Sequence, residues 1–374
     1  MSVIGFHNGR ILTRDAESDS AAFELDGERI GALKEAGGEA LDLEGGWLAP
    51  GFIDTQVNGG GGVLFNDQPD VDAIARIGAA HAPHGTTAFL PTLISCGLPV
   101  IAQALDAVDQ AIERGVPGVI GIHVEGPFLN VSRKGIHDAE NFRPLDDEAL
   151  ALLTAPRRGK VMVTLAPEQN DVAAIRALVE AGVIVSIGHS NATYAQARAA
   201  IDAGATGVTH LFNAMSPLHH REPGVVGAAL EDRTLYCGLI IDGAHMHPAA
   251  ARIALAARPL DRFLLVTDAM PSVGSATKEF VLNGEHITVE NGVCVNDAGT
   301  LAGSDLDMAQ AVRNTHALGL PLGDVVAMAA ANPAAFLGLG AERGLLAPGY
   351  RADFVWLDRD LNVRGTWIGG KRVA

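Results

Sequence analysis

A chain of 374 residues is long enough to bury a large core, and one large domain with a small companion is the natural expectation. Hydrophobic residues make up 48% and charged residues 19%, which argues against a disordered chain, and a formal net charge of −17 argues against nucleic acid and anionic membrane surfaces as partners. The same charge sets a condition: an anionic substrate needs a local cluster of positive groups, because the overall field repels it.

Residues 1–48 carry short alternating segments (ILT, AAFELDGERIGAL, EALDLEG) broken by Asp-Gly and Gly-Gly turn signals, as expected of strands. The opening MSVIGFHNGRILTRD lacks a basic region followed by an apolar core, so no secretory leader is expected. No apolar stretch reaches the roughly 20 residues that a membrane span needs. From about residue 342 the strand pattern returns (ADFVWLD, GTWIGGKRVA). Residues 1–48 and 342–374 are therefore expected to build one small β-sandwich from both termini.

Residues 49–341 follow a strand, turn, helix pattern. The strand candidates are 52–57, 86–92, 119–125, 161–166, 183–188, 207–211, 236–242 and 263–268. Between them, segments such as DVAAIRALVEAG and PAAARIALAAR place apolar residues at helical spacing and often end in glycine. Eight strands alternating with helices predict an α/β fold, a (β/α)8 TIM barrel. The glycine run 59–62 is not followed by the Gly-Lys-Ser/Thr of a phosphate loop, so packing against the small domain is expected there. A β-hairpin fits 279–300, and two helices, 307–318 and 322–337, close the domain. Cys96, Cys237 and Cys294 cannot all pair, which suits reduced thiols in the cytoplasm.

The chemistry falls at strand ends. Glu125, His189, His210 and Asp268 each follow a short apolar run, in HVEGP, IGHSNAT, VTHLFNAM and LLVTDAM. In a barrel those positions share one rim, where active sites lie. Two imidazoles and a carboxylate suit a catalytic metal with open positions for water, and Asp268 suits a proton acceptor beside that water. Each residue taken alone could equally be a satisfied polar group at a loop start; the four together favour metal-assisted hydrolysis. His137, in KGIHD, either polarises a carbonyl or simply faces water. His123 is expected in the core or behind the site. On the first strand, Gln56 and Asn58 stand where hydrolases of this barrel type often have His-x-His; amides are poor ligands for a borderline metal, so one ion rather than two is expected. Arg221, His219, His220, His245 and His247 gather in two rim segments, as an anion site or as surface residues.

GFIDTQVNGGGGVLFND, HVEGPFLN with KGIHD, GHSNAT, THLFNAM, REPG, DGAH, LVTDAM and LAGS occur in this order. Over nearly the whole chain they resemble the N-acetylglucosamine-6-phosphate deacetylase family of the amidohydrolase superfamily. The resemblance implies that Glu125, His189 and His210 hold one divalent metal, zinc or iron(II). It implies that Asp268 is the general acid/base and that His137 assists at the acetyl carbonyl. Asn213 and Ala214 would contact the sugar or phosphate. Arg221 and His245 would hold the phosphate, one or both from the partner subunit of a homodimer. The implied reaction releases acetate and D-glucosamine 6-phosphate from N-acetyl-D-glucosamine 6-phosphate, a small-molecule amino-sugar phosphate. Rival readings are hydrolysis of N-acetylgalactosamine 6-phosphate or an N-acyl-D-amino acid, and a non-catalytic sugar-phosphate-binding barrel.

Overall fold

The computed structural model describes residues 2–12, 17–18, 21–34 and 40–374. Its centre is a sheet of eight parallel strands hydrogen-bonded in chain order. They are β1 (Phe52–Val57), β2 (Thr86–Ile94), β3 (Gly121–Glu125), β4 (Lys160–Leu165), β5 (Ile184–Ile187), β6 (Gly207–Val208), β7 (Tyr236–Leu239) and β8 (Phe263–Leu265). The last strand meets the first at the rim: Asp268 N donates to Gln56 O at 3.0 Å, and Asn58 N to Ala269 O at 2.9 Å. The (β/α)8 barrel is therefore as expected from the sequence. Every residue of β2 is buried, which explains its unbroken apolar reading in a sheet covered on both faces. Pro91, which has no N–H to donate, sits where the pairing of β2 with β1 shifts register.

Seven helices return the chain between successive strands: α1 (Val71–His81), α2 (Leu98–Glu113), α3 (Asp147–Leu153), α4 (Val172–Glu180), α5 (Tyr194–Asp202), α6 (Gly224–Glu231) and α7 (Pro248–Ala257). Asp70, Asp146 and Asp171 cap α1, α3 and α4 by accepting backbone N–H groups, and Thr193 with Gln196 forms a capping box on α5. Each such cap contributes about 1 kcal/mol and fixes where its loop ends.

Both termini build the small β-sandwich. One sheet orders its strands Lys371–Arg372, Val363–Ile368, Phe354–Leu357, Trp47–Pro50, Arg10–Leu12 and Glu17–Ser18; the other orders Arg29–Lys34, Ala21–Asp26, Ser2–His7 and Ala40–Asp42. Phe6, Phe23, Phe354 and Trp367 pack between the sheets, with Phe6 edge-on to Phe354 at 5.6 Å and Phe354 stacked on Trp367 at 5.0 Å. The three cysteines are unpaired. Among the described residues no helix is long and apolar enough to cross a membrane.

Four expectations need correction. The strand expected over 207–211 ends at Val208, because His210 takes φ +32 and turns the chain off the sheet. The hairpin is a four-stranded antiparallel meander, Glu279–Leu282, Glu285–Glu290, Val293–Asn296 and Leu301–Ser304; the Asn283-Gly284 and Asn291-Gly292 turns both have positive φ, as tight hairpins require. The closing segment holds three helices, α8 (Met308–His316), α9 (Leu322–Ala329) and α10 (Ala331–Phe336). Ala330 breaks the run with φ −134, which leaves Pro333 in a first turn where its missing N–H costs nothing. The glycine run packs on the loop after β8 rather than on the sandwich: the N–H groups of Gly59, Gly61 and Gly62 donate to Ala269, Val273 and Pro271.

Candidate metal centre and active site

The barrel brings Glu125, His189 and His210 together at the carboxyl ends of β3, β5 and β6, and all three are buried. Glu125 Oε1 lies 3.0 Å from His210 Nε2 and 3.2 Å from His189 Nε2, and the two nitrogens are 3.1 Å apart. His189 Nδ1 is 2.8 Å from the carbonyl oxygen of Arg133, which can only accept. Nδ1 therefore carries the proton of the neutral ring, and Nε2 points a bare lone pair at the carboxylate. Lone pairs facing one another in a dry site need a cation between them, and a backbone-anchored Nδ1–H is the usual support of a metal-binding imidazole. The residues fit a divalent ion. Burial alone would raise the Glu125 carboxyl; positive charge at the Nε2 positions of His189 and His210, whether from ring protons or a metal ion, outweighs it and holds the group well below the usual carboxylate range. Burial likewise opposes charge on His210, and Glu125 reverses the sign, raising that ring.

Local backbone geometry aims these side chains. His189, His210 and Asp268 have φ of +47, +32 and +54, a region that non-glycine residues enter at a cost of about 1–3 kcal/mol each. Backbone carbonyl contacts hold each one there, from other segments at His189 and Asp268 and from its own loop at His210. His189 O accepts from Asn130 N, His210 O from Asn213 N and Nδ2, and Asp268 O from Ser304 N.

Asp268 faces the cluster across the first strand's amides. Asn58 Nδ2 donates to Asp268 Oδ1 at 2.6 Å; Gln56 Nε2 donates to the same oxygen at 3.1 Å and to Glu125 Oε2 at 3.1 Å. Gln56 thus bridges two carboxylates in the position where a second metal would need a ligand. Burial, then the Glu125 charge, raises the Asp268 carboxyl above its ordinary value, which favours its taking up a proton. Beneath it Asp54 accepts from Thr267 Oγ1 and Gln56 N, and burial pushes its carboxyl up to about 7.

His137 reaches the same cavity, its ring 4.4 Å from that of His189. Burial, then the neighbouring His189, holds it neutral, well below the ordinary imidazole range. His123 does not reach the cavity; it bonds Thr164 Oγ1 at 2.7 Å, starting a buried hydroxyl chain through Thr209 to Ser186 under the cluster.

A cavity of about 360 Å³ opens over these groups and is lined also by Asn213, Ala214, His245, Met270, Leu301 and Ile94. The meander covers it, tied down where Asn283 Nδ2 donates to Ile136 O at 2.9 Å. His245 Nδ1 donates to Asp242 Oδ2 at 2.6 Å, an arrangement that leaves Nε2 for a ligand. Asn213 and Ala214 lie beside it, Ala214 with φ +49. Arg221 is not brought to this cavity; it is exposed, and its Nε donates to His220 Nε2 at 3.1 Å. His247 accepts from Ala249 N as the cap of α7, and the His219 ring lies tilted against that of His220 at 4.3 Å.

Sequence reasoning missed the part played by four residues. Gln56 and Asn58 were visible as absent ligands, yet their spacing of two on a buried strand already put both amides on one face. Glu168, after β4, accepts from Asn130 Nδ2, Ser190 Oγ and Asn191 N, and so ties three rim loops around His189; no local signal marked it. Ser95 contacts His137 from 42 residues away.

The amidohydrolase family model matches residues 47–373. The chain is 42% identical to the N-acetylgalactosamine-6-phosphate deacetylase of Shewanella sp. (strain ANA-3), over 97% of this chain and 94% of the relative. It is 40% identical to the human N-acetylglucosamine-6-phosphate deacetylase, over 90% of this chain and 85% of that one. Among solved structures, N-acetylglucosamine-6-phosphate deacetylase from Pasteurella multocida superposes with a TM-score of 0.95 at 34% identity, covering 99% of both chains. A mutant of N-acetyl-D-glucosamine-6-phosphate deacetylase from Mycobacterium smegmatis, in complex with N-acetyl-D-glucosamine-6-phosphate, superposes with a TM-score of 0.89 at 36% identity, covering 100% of this chain and 99% of that one. With the match spanning all but the first 46 residues and the last, this chain belongs to the amidohydrolase family.

Proposed function

We propose that this chain is a metal-dependent deacetylase that hydrolyses N-acetyl-D-glucosamine 6-phosphate to D-glucosamine 6-phosphate and acetate. The observation that carries the reading is the convergence of the Glu125, His189 and His210 donor atoms with Asp268 alongside, at the floor of one cavity. One divalent ion, zinc or iron(II), held by those three residues would supply Lewis-acid activation of water and of the acetyl carbonyl. Asp268 takes the proton of the attacking water. It then returns that proton to the amine nitrogen, so that a neutral amine leaves rather than an amide anion. His137, neutral and buried, donates a hydrogen bond to the carbonyl oxygen as charge develops there. Gln56 and Asn58 keep Asp268 oriented and, being amides, support a single ion.

For the phosphate, the reading uses His245, Asn213 and the backbone at Ala214 from the chain itself, and Arg221 from the partner in a homodimer. The exposure of Arg221 outside its own cavity supports that division. We place the enzyme in the cytoplasm, which its unpaired thiols support. We also treat residues 1–48 with 342–374 as one supporting unit and 49–341 as the catalytic one.

A second reading concerns the sugar. Relatives at 42% and 39% identity, the latter from Escherichia coli O157:H7, are N-acetylgalactosamine-6-phosphate deacetylases. The C4 epimer is therefore the competing substrate. Acetate release from both 6-phosphates and from unphosphorylated N-acetylglucosamine, with and without chelator, tests the whole proposal. Chelator-sensitive turnover with kcat/KM highest for N-acetyl-D-glucosamine 6-phosphate is expected. Higher kcat/KM for the galacto epimer moves the assignment to it, and chelator-insensitive release removes the metal-based reading.

A further inference from the structure

We propose that Ser95 is a positioning residue that sets which ring nitrogen of His137 carries the proton. The inference rests on the reading of His137 as donor to the acetyl carbonyl. Ser95 directly follows β2, and two of its groups meet one atom: its backbone N donates to His137 Nδ1 at 3.3 Å, and its Oγ lies 2.8 Å from the same nitrogen. An amide N–H can only donate. His137 Nδ1 is therefore an acceptor, the hydroxyl proton of Ser95 is free to donate to it as well, and the ring proton sits on Nε2. On a residue that lines the cavity, this leaves Nε2–H as the single donor the neutral ring can offer. The opposite tautomer would present a lone pair to the carbonyl oxygen and repel the charge that develops there.

The fold makes room for this contact. Ser95 and His137 are 5% and 3% exposed, so water does not compete for Nδ1. Gly126, next after Glu125, has φ +84, and a Cβ there would lie 2.3 Å from Ser95 Oγ. The glycine of HVEGP thus serves two purposes, the turn away from β3 and space for the hydroxyl that orders His137.

The test uses zinc-loaded enzyme labelled with 15N-histidine, with the His137 signals assigned by their loss in His137→Asn. Long-range 1H–15N correlation distinguishes a protonated from an accepting ring nitrogen. The native protein is expected to show His137 as Nε2–H with Nδ1 accepting. Ser95→Ala keeps the longer backbone contact and loses the hydroxyl one, so it is expected to move the Nδ1 signal and let the other tautomer gain a minor population. Its kcat should fall about tenfold, less than the roughly 10²–10³-fold loss on removing an oxyanion donor outright, with KM within about twofold. Ser95→Cys, near in size and a weak donor, should fall between the two and covers the case of an alanine variant that folds poorly. An unchanged His137 pattern in a folded Ser95→Ala enzyme overturns the proposal whatever its activity. Near-native turnover in His137→Asn would instead remove the role given to His137, and the spectra would still decide for Ser95.

Discussion

The metal-ligand cluster and the segment carrying Arg221 differ in one respect: the first is assembled inside the chain's own cavity, and the second faces outward. Glu125, His189 and His210 are at most 5% exposed, and the backbones that aim the two histidines are pinned, His189 by Asn130 of another loop and His210 by Asn213 of its own. Arg221 is exposed and bonds its own neighbours, its backbone N donating to His219 and its Nε to His220. A metal site has to be rigid, because ligand distances tolerate shifts of only a few tenths of an ångström. An anion site can be completed by a side chain from elsewhere, because a charge-assisted hydrogen bond tolerates more variation. The difference teaches that chemistry and substrate selection are separable in this molecule, and mutations should separate them.

The largest effect is expected from Glu125→Ala. Metal analysis should find one ion per chain in the native protein and nearly none in the variant, with activity lost together with the ion. Full retention, or two ions per native chain, would break the account of the cluster. Asp268→Asn should keep the ion and lose about 10²–10⁴-fold in kcat, the usual worth of a proton-transfer group; a merely tenfold loss would deny Asp268 that role. Glu168→Gln should weaken metal binding about 10–100-fold, as loss of support behind a ligand does, read by competition with a chelator. Arg221→Ala should raise KM for the 6-phosphate about tenfold and leave unphosphorylated sugar unchanged. Equal losses on both sugars would show that Arg221 acts structurally and would erase the contrast drawn above. The smallest effect is on pH. The Asn58 hydrogen bond favours ionised Asp268, so Asn58→Ala should raise that carboxyl further and move the acid limb of kcat/KM to higher pH. A limb that stays in place would assign the profile to another group.

Much of this was legible in the chain because a barrel converts order along the sequence into position on a rim. The eight strands are apolar runs, and the groups that follow them must meet. His189 and His210 were readable for that reason. The positive φ of His189, His210 and Asp268 was not, since no glycine marks those positions and only the surrounding loops hold the backbone there. Ser95 and Glu168 escaped because their partners lie on other loops, 42 and about 20–40 residues away. The break at Ala330 was hidden in a run whose composition is helical throughout, with Pro333 its one sign. Arg221 was named as a phosphate ligand, and one chain alone does not bring it to the cavity.

The strand Trp47–Pro50 lies between Arg10–Leu12 and Phe354–Leu357 in its sheet, more than 300 residues apart along the chain. During synthesis the amino-terminal segment therefore waits, its aromatic face uncovered, until nearly the whole polypeptide has left the ribosome. Such a latch makes the barrel's assembly answerable to the last-made residues, so a chain cut short before Phe354 would expose Phe6 and Phe23 and invite aggregation before any loss of catalytic groups.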